Sequence, residues 1–328
     1  MAGVSLTTVQ PLVRCGTRRA QINRMSFELE SRTHLDRELA KKARKELRDT
    51  ARALTTSEGG TFEKAVHESR KRLKKVRAIA ALLEQVGTKV PRKDRKQLKS
   101  VAHALSRIRD SAAIIETFDR VRRRYPKQLS PHTYRTLRHG LVDARNRAQA
   151  EAERDDVVDG AAARLVTTRK AIKDWPSHAI DVSDLLAVVA GSYRRSRRAM
   201  KRARLTGQSA TVHSWRKEVK TFWYQLRLAK RLTVGVAPLI TDLKRLETEL
   251  GDDHNLVVLE ATLRGCCDLR TQGAAIRQVG RLATRMRQQL RRRAFTLGRR
   301  VYGRRPKTFH RWARIAAKRT SAPRAAAA

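Results

Sequence analysis

The chain has 328 residues and carries 75 Lys and Arg against 31 Asp and Glu, a formal net charge of +44. Hydrophobic residues make up 40% of it, enough for a packed core, so we expect a folded protein whose excess charge is met by an anionic partner. Three cysteines, two of them adjacent, exclude a disulfide framework and indicate a reducing compartment. No apolar run approaches the ~20 residues of a membrane span. We therefore expect a cytoplasmic protein with no membrane association.

Apolar residues recur at helical spacing between widely separated Pro and Gly residues, and aromatic residues amount to only 5%. This pattern predicts an all-α protein. The predicted helices cover about 26–55, 61–86, 92–124, 130–175, 182–205, 209–232, 238–266 and 271–297. Residues 1–25 are basic and are expected to be disordered or dispensable, although this composition also fits an organelle transit peptide. Residues 305–328 are expected to form a basic, Ala-rich tail.

Two sequence patterns occur twice at nearly the same spacing. Residues 66–74 (VHESRKRLK) return 146 residues later as VHSWRKEVK, and residues 105–110 (LSRIRD) match a segment 145 residues later, LGDDHN. Two matches at one spacing indicate an internal duplication. We therefore expect two antiparallel four-helix bundles, a first repeat over 26–176 and a second over 177–304.

The first duplicated pattern predicts a helix with one apolar and one cationic face. On a helical wheel, the cationic face of the first copy contains His67, Arg70, Lys71 and Lys74, and that of the second contains His213, Arg216, Lys217, Lys220, Tyr224 and Arg227. The opposite faces carry apolar residues such as Val66, Leu73, Trp215 and Phe222. A solvated face is the alternative interpretation, but solvated faces normally mix signs, and like charges three or four residues apart destabilise a helix. The repeated pattern therefore predicts a bound anion.

The helix that opens each repeat is also cationic on one face. In the first repeat this face carries Arg37, Lys41, Lys45, Arg48 and Arg52. In the second repeat, residues 193–202 include six Lys and Arg residues, of which Arg194, Arg198, Lys201 and Arg202 lie opposite the apolar residues. If these helices lie beside the His-bearing ones, the cations converge on a channel. Arg and Lys suit phosphate groups, and His adds a pH response. No set of residues at metal-ligand spacing accompanies them, so we expect no metal and no cofactor.

Four polar residues, Asp110, Asp252, Asp253 and Asn255, lie in the second duplicated pattern. A catalytic role would need paired carboxylates near the cations. We expect instead that these residues brace neighbouring Arg side chains between helices.

These patterns resemble the CHAD family, the conserved histidine α-helical domain. The resemblance rests on residues 66–75, 213–226, 105–110 and 250–255 and extends from about Glu28 to Phe309; Asn255 stands where an acid is usual. It implies two bundles related by pseudo-twofold symmetry, with a basic channel between them that binds inorganic polyphosphate. The ligands it implies are His67, Arg70, Lys71, Lys74, His213, Arg216, Lys217, Lys220, Arg194, Arg197, Arg198, Lys201 and Arg202. We add Lys41, Lys45, Arg48 and Tyr224 as further candidates.

Three functions compete at this point. The first is non-catalytic binding of polyphosphate, with location at cytoplasmic polyphosphate granules. The second is non-specific RNA or DNA binding, which the charge alone supports, although no known nucleic-acid-binding motif is visible. The third is triphosphate hydrolysis, since Glu28, Glu30 and Arg32 partly resemble the ExExK start of CYTH triphosphatases. Because Arg32 stands where Lys belongs and no β-rich region follows, we expect no enzyme.

Overall fold

The computed structural model describes residues 27–56, 62–175 and 179–321, so the basic segment predicted over 1–25 lies outside the described residues. The described residues form ten α-helices and two short 3-10 helices, with no β-strand among them, which confirms the all-α prediction. The α-helices are α1 (Leu35–Thr55), α2 (Phe62–Gln85), α3 (Arg92–Arg124), α4 (Pro131–Arg154), α5 (Val157–Ala171), α6 (Val182–Thr206), α7 (Ser209–Leu228), α8 (Ala237–Cys266), α9 (Leu269–Val301) and α10 (Pro306–Ser321). None of these described helices is both long and apolar enough to cross a bilayer.

Local capping signals set several helix ends where the sequence predicts them. The Ser130 hydroxyl accepts a hydrogen bond from the backbone N–H of Thr133 at the start of α4, with Pro131 in the first turn. A capping box formed by Asp181 and Asp184 opens α6, and Gly207 ends it with a left-handed φ of 62°. These ends are determined by residues adjacent in the chain, which is why sequence reasoning locates them.

Three predicted segments differ in the structure. The helix predicted from residue 26 begins only at Leu35, where the preceding His34 adopts a left-handed φ of 51°. The single helix predicted over about 130–175 is broken at Asp155 and Asp156, where Asp156 adopts a left-handed φ of 45°, and α5 then packs against α1 and α3. Residues 306–321, expected in a basic tail, instead form α10, which packs on α6. Phe309 of α10 is buried and its ring stacks on Tyr193 with a centroid distance of 4.0 Å.

The described chain therefore has five helices on each side of residue 176, where the sequence predicts four per repeat. The hydrophobic core also crosses this boundary. A larger cluster joins residues from Phe27 to Phe309, and a second cluster joins α3 and α4 to α8 and α9. The predicted boundary does not separate two cores, and the duplication itself stays a prediction.

Candidate functional site

Helices α2 and α7 each bury their apolar face and leave their cationic face toward a common space. Val66 and Leu73 of α2 and Trp215 and Phe222 of α7 are fully buried. The opposite faces line two adjoining cavities, of about 860 and 420 Å³, whose remaining walls come from α3 and α8. We call the two cavities together the basic channel. The residues that line both are Arg70, Lys74, Ala113, Arg216, Lys220, Tyr224 and Asn255.

Cations dominate the walls of the basic channel. The larger cavity is lined by ten Lys and Arg residues, namely Arg70, Lys71, Lys74, Lys75, Arg120, Arg123, Arg216, Lys220, Arg227 and Lys244, against the three acids Glu116, Glu247 and Asp252. The smaller cavity is lined by six, namely Arg70, Lys74, Arg77, Arg216, Lys217 and Lys220, and by no acid. A concave surface lined by one sign of charge concentrates its electrostatic field and attracts counter-ions strongly.

Lys74 is the most perturbed cation of the channel. Burial, together with the nearby charges of Lys220, Arg70 and Arg216, lowers the pKa of Lys74 from 10.5 to about 7. Burial and the neighbouring Arg216 also lower the pKa of Lys220. Among the described residues, no carboxylate lies within ion-pair distance of Lys74. The protein thus holds an ammonium group in a place where its charge is disfavoured unless an anion joins it.

Glu247 is the channel's internal counter-ion. It is 8% exposed, and its two carboxylate oxygens accept hydrogen bonds from Lys220 at 2.7 Å and Lys244 at 2.9 Å. Burial alone would raise the pKa of Glu247, but these two lysines outweigh it and lower the pKa to about 2. Glu247 therefore stays ionised and neutralises part of one wall.

Asp252 and Asp253 hold arginines in place, as the sequence predicts. Asp252 pairs with Arg120 across α8 and α3 at 2.8 Å. Asp253 is 2% exposed and accepts hydrogen bonds from Arg287 and Arg291 of α9. The side chain of Asp110 lies outside the described residues. Asn255 lines both cavities, and because its side chain is neutral it does not reduce their positive charge.

The two duplicated histidines occupy different positions. His67 lines the larger cavity directly. The ring of His213 lies 4.3 Å from that of His254, which lines the smaller cavity. Burial and the nearby Lys217, Arg216 and Lys220 lower the pKa of His213, and its buried Nδ1 has no hydrogen-bond partner within the described part of the chain. His213 therefore does not line the channel itself but contacts His254, which does.

The structure does not bring the opening helices to the basic channel. Lys41, Lys45 and Arg48 of α1 line a separate cavity of about 850 Å³ together with Arg169. None of the five candidate cations of α6 lines either cavity of the channel: Arg194, Arg197, Arg198, Lys201 and Arg202. The reason is that α6 turns Tyr193, Ser196 and Met200 into the core between α7 and α10, which leaves its charged face outside.

Several channel residues were not selected from the sequence. They are Arg77, Arg120, Arg123, Trp223, Lys244, Glu247 and His254. Arg227, which the sequence places on the cationic face of α7, lines the larger cavity. The residues from α3 and α8 carry no local signal, because only the packing of four helices brings them together.

Fold and site define an all-α protein with a cation-lined channel between two helix pairs. The family model of the CHAD domain matches residues 57–264, more than half of the chain, and the protein belongs to this family. Among solved structures, the CHAD domain from the plant Ricinus communis is similar in fold with a TM-score of 0.59 at 15% identity, covering 84% of this chain and 94% of that one. No curated protein matches the chain.

Proposed function

We propose that this protein binds inorganic polyphosphate in the basic channel and does not hydrolyse it. The observation that carries the proposal is the convergence of the α2 and α7 cations on one space, where Lys74 and Lys220 have lowered pKa values. A linear anion with a charge on every unit would neutralise such a row. Arg can bind two phosphate oxygens at once and Lys supplies a compact charge, so the mixture suits a chain of phosphates.

The channel walls favour an anion without bases over nucleic acid. The smaller cavity also has apolar residues among its cations, such as Ala78, Ala81 and Ile114, which offer no hydrogen bonds to base edges. The ring of Trp223 is already contacted by Arg227 at 4.9 Å and Lys244 at 5.3 Å, so a stacking base would have to compete with these cations. A cavity of about 860 Å³ is also in the range of small-ligand sites and too small for a duplex.

Binding without hydrolysis is supported by how the acids are used. Glu28 and Glu30, the residues similar to a triphosphatase motif, pair with Lys230 and Arg231 and line neither cavity of the channel. Two of the three acids that line the channel, Glu247 and Asp252, are held in ion pairs. We therefore expect a module that retains its ligand, which would place the protein at polyphosphate granules. Incubation with polyphosphate should release no orthophosphate.

The test is a pair of variants with the same change in charge. The channel variant replaces Arg70, Lys71, Arg216 and Lys217 with Glu, and the control replaces Arg194, Arg198, Lys201 and Arg202 of α6, all exposed, with Glu. We expect the channel variant to lose polyphosphate affinity by more than ~100-fold, since repulsion replaces charge-assisted hydrogen bonds. The control should stay within about threefold, and both should keep a helical circular dichroism spectrum.

Equal losses in the two variants would show that only net charge matters and would overturn the proposal. A second measurement compares ligands. Long polyphosphate should compete far better than orthophosphate or single-stranded RNA of matched charge, with affinity falling steeply as salt rises. Equal competition by RNA would refute a specific polyphosphate site.

A further inference from the structure

Helix α9 carries ten arginines and no acidic residue over 33 positions. Four of these arginines are paired within the described structure: Arg287 and Arg291 with Asp253, Arg293 with Glu249, and Arg300 with Asp242. These pairs attach α9 to α8. They account for the arginines on the flanks of the helix and leave its outer face unexplained.

The outer face of α9 carries a row of four exposed arginines, which we call the arginine row. Its members are Arg277, Arg281, Arg285 and Arg292. Steps of four and seven residues place them within about 80° of one another on the helix, so that they span roughly 22 Å. The residues between them on this face, Thr284 and Gln288, are also exposed. The buried residues of α9, such as Val279, Ala283 and Leu290, lie on the opposite side.

The arginine row has no partner within the described residues. None of the four guanidinium groups forms an ion pair there, and none lines either cavity of the basic channel. Like charges one turn apart weaken a helix by a few tenths of a kcal/mol per pair. The row therefore costs helix stability without any internal compensation, which points to an external anion.

The shape and composition of this face indicate which kind of anion it can bind. The exposed face of one helix, with an overall diameter of about 10–12 Å, matches the width of the major groove of B-form DNA, about 12 Å, so its arginines can reach the phosphates on either side, whereas the major groove of RNA is deep and narrow. Arginine binds phosphate oxygens and guanine edges with the same planar fork. A membrane surface would require apolar side chains among the cations, and the face has Thr284 and Gln288 there instead.

We propose that the arginine row of α9 is a DNA-binding surface, separate from the basic channel and directed at the phosphates of duplex DNA. The two sites lie on different helices and use no common residue. One protein would then hold polyphosphate inside and duplex DNA outside. The α9 surface binds without strong sequence preference, because its contacts are mainly to the backbone.

The test measures binding of a 20-base-pair DNA duplex by mobility shift at several salt concentrations. The α9 variant replaces Arg277, Arg281, Arg285 and Arg292 with Gln, a good helix former. The matched control replaces four exposed cations at the start of α3, Arg92, Lys93, Lys96 and Lys99, with Gln. We expect at least a tenfold loss of DNA affinity in the α9 variant, a salt slope shallower by about 3, and less than a threefold loss in the control.

Polyphosphate binding separates this proposal from the proposed function. The α9 variant should bind polyphosphate normally, and the channel variant should bind DNA normally. DNA binding by the α9 variant equal to that of the control would overturn the proposal. So would loss of DNA binding in the channel variant alone, or binding of phosphatidylserine vesicles more tightly than DNA. Circular dichroism of each variant checks that the helices persist. A double variant, Arg281→Gln with Arg285→Gln, should show an intermediate loss of DNA affinity.

Discussion

Lys74 is a buried cation whose position lowers the stability of the folded protein. Its lowered pKa of about 7 means that the unfolded chain binds a proton on this residue more readily than the folded chain does between about pH 7 and 10.5. Stability from this residue therefore rises with pH across that window, and the full penalty is present below pH 7. A residue selected only for stability would not be a lysine.

Polyphosphate binding should take up close to one proton at Lys74. A bound phosphate raises the pKa of Lys74, so above pH 7 the free protein is neutral there and the complex is charged. Affinity should fall by up to tenfold per pH unit above about pH 7, and below pH 7 the titration of Lys74 should contribute no pH dependence. Calorimetry at pH 8 in buffers of different ionisation enthalpy measures the uptake. Lys74→Met should abolish it while raising the Tm at pH 7, and an unchanged uptake in this variant would contradict the assignment.

Glu247 should have the opposite effect, since it stabilises the free protein but should weaken the binding of an anion. Replacing it with Gln removes the carboxylate that satisfies Lys220 and Lys244, so the free protein should lose about 1–3 kcal/mol of stability, seen as a lower Tm. The same change removes a negative charge from the channel wall, so polyphosphate should bind more tightly and raise the Tm by a larger amount than in the parent protein. Weaker binding by Glu247→Gln would mean that the carboxylate positions the lysines for the ligand.

At the scale of elements, the last helix is a structural part of the fold. Phe309 of α10 is 1% exposed, lies against Tyr193, and makes an edge-on contact with Phe222 at a centroid distance of 6.0 Å. Phe309→Ala should destabilise the protein by about 3–5 kcal/mol, measured by urea unfolding. Arg311→Ala on the exposed side of α10 is the control and should change stability by less than about 0.5 kcal/mol. No effect of Phe309→Ala would show that this segment is a dispensable tail.

The helices also differ in how far their local patterns predict their roles. Most of the cations on α2 and α7 line the channel, because each cationic face lies directly opposite an apolar face that the core buries. The equally basic face of α6 does not, because α6 packs with α10 on the side away from the channel. Helical periodicity identifies the apolar and cationic faces of a helix, but it does not predict which other helices lie next to each face.

At the scale of the whole molecule, the two halves of the chain share their cores. The cluster formed by α3, α4, α8 and α9 joins Phe118 and Leu137 of the first half to Leu259 and Val279 of the second. Residues 26–176 or 177–321 alone should therefore fail to unfold cooperatively, whereas the full chain should show one transition by circular dichroism and calorimetry. A cooperative transition in an isolated half would show that the halves are independent bundles.

The amino-acid sequence by itself determined the helical class, most helix ends, the apolar and cationic faces of α2 and α7, and the charge that calls for an anion. These features depend on residues within a few turns of each other, which are read directly from the order of residues. Only the tertiary structure decided that α3 and α8 complete the channel, that Glu247 neutralises part of it, and that the cations of α1 and α6 lie elsewhere. Those outcomes depend on which helices distant in the sequence pack together, and this packing is determined by all the contacts of the hydrophobic core together.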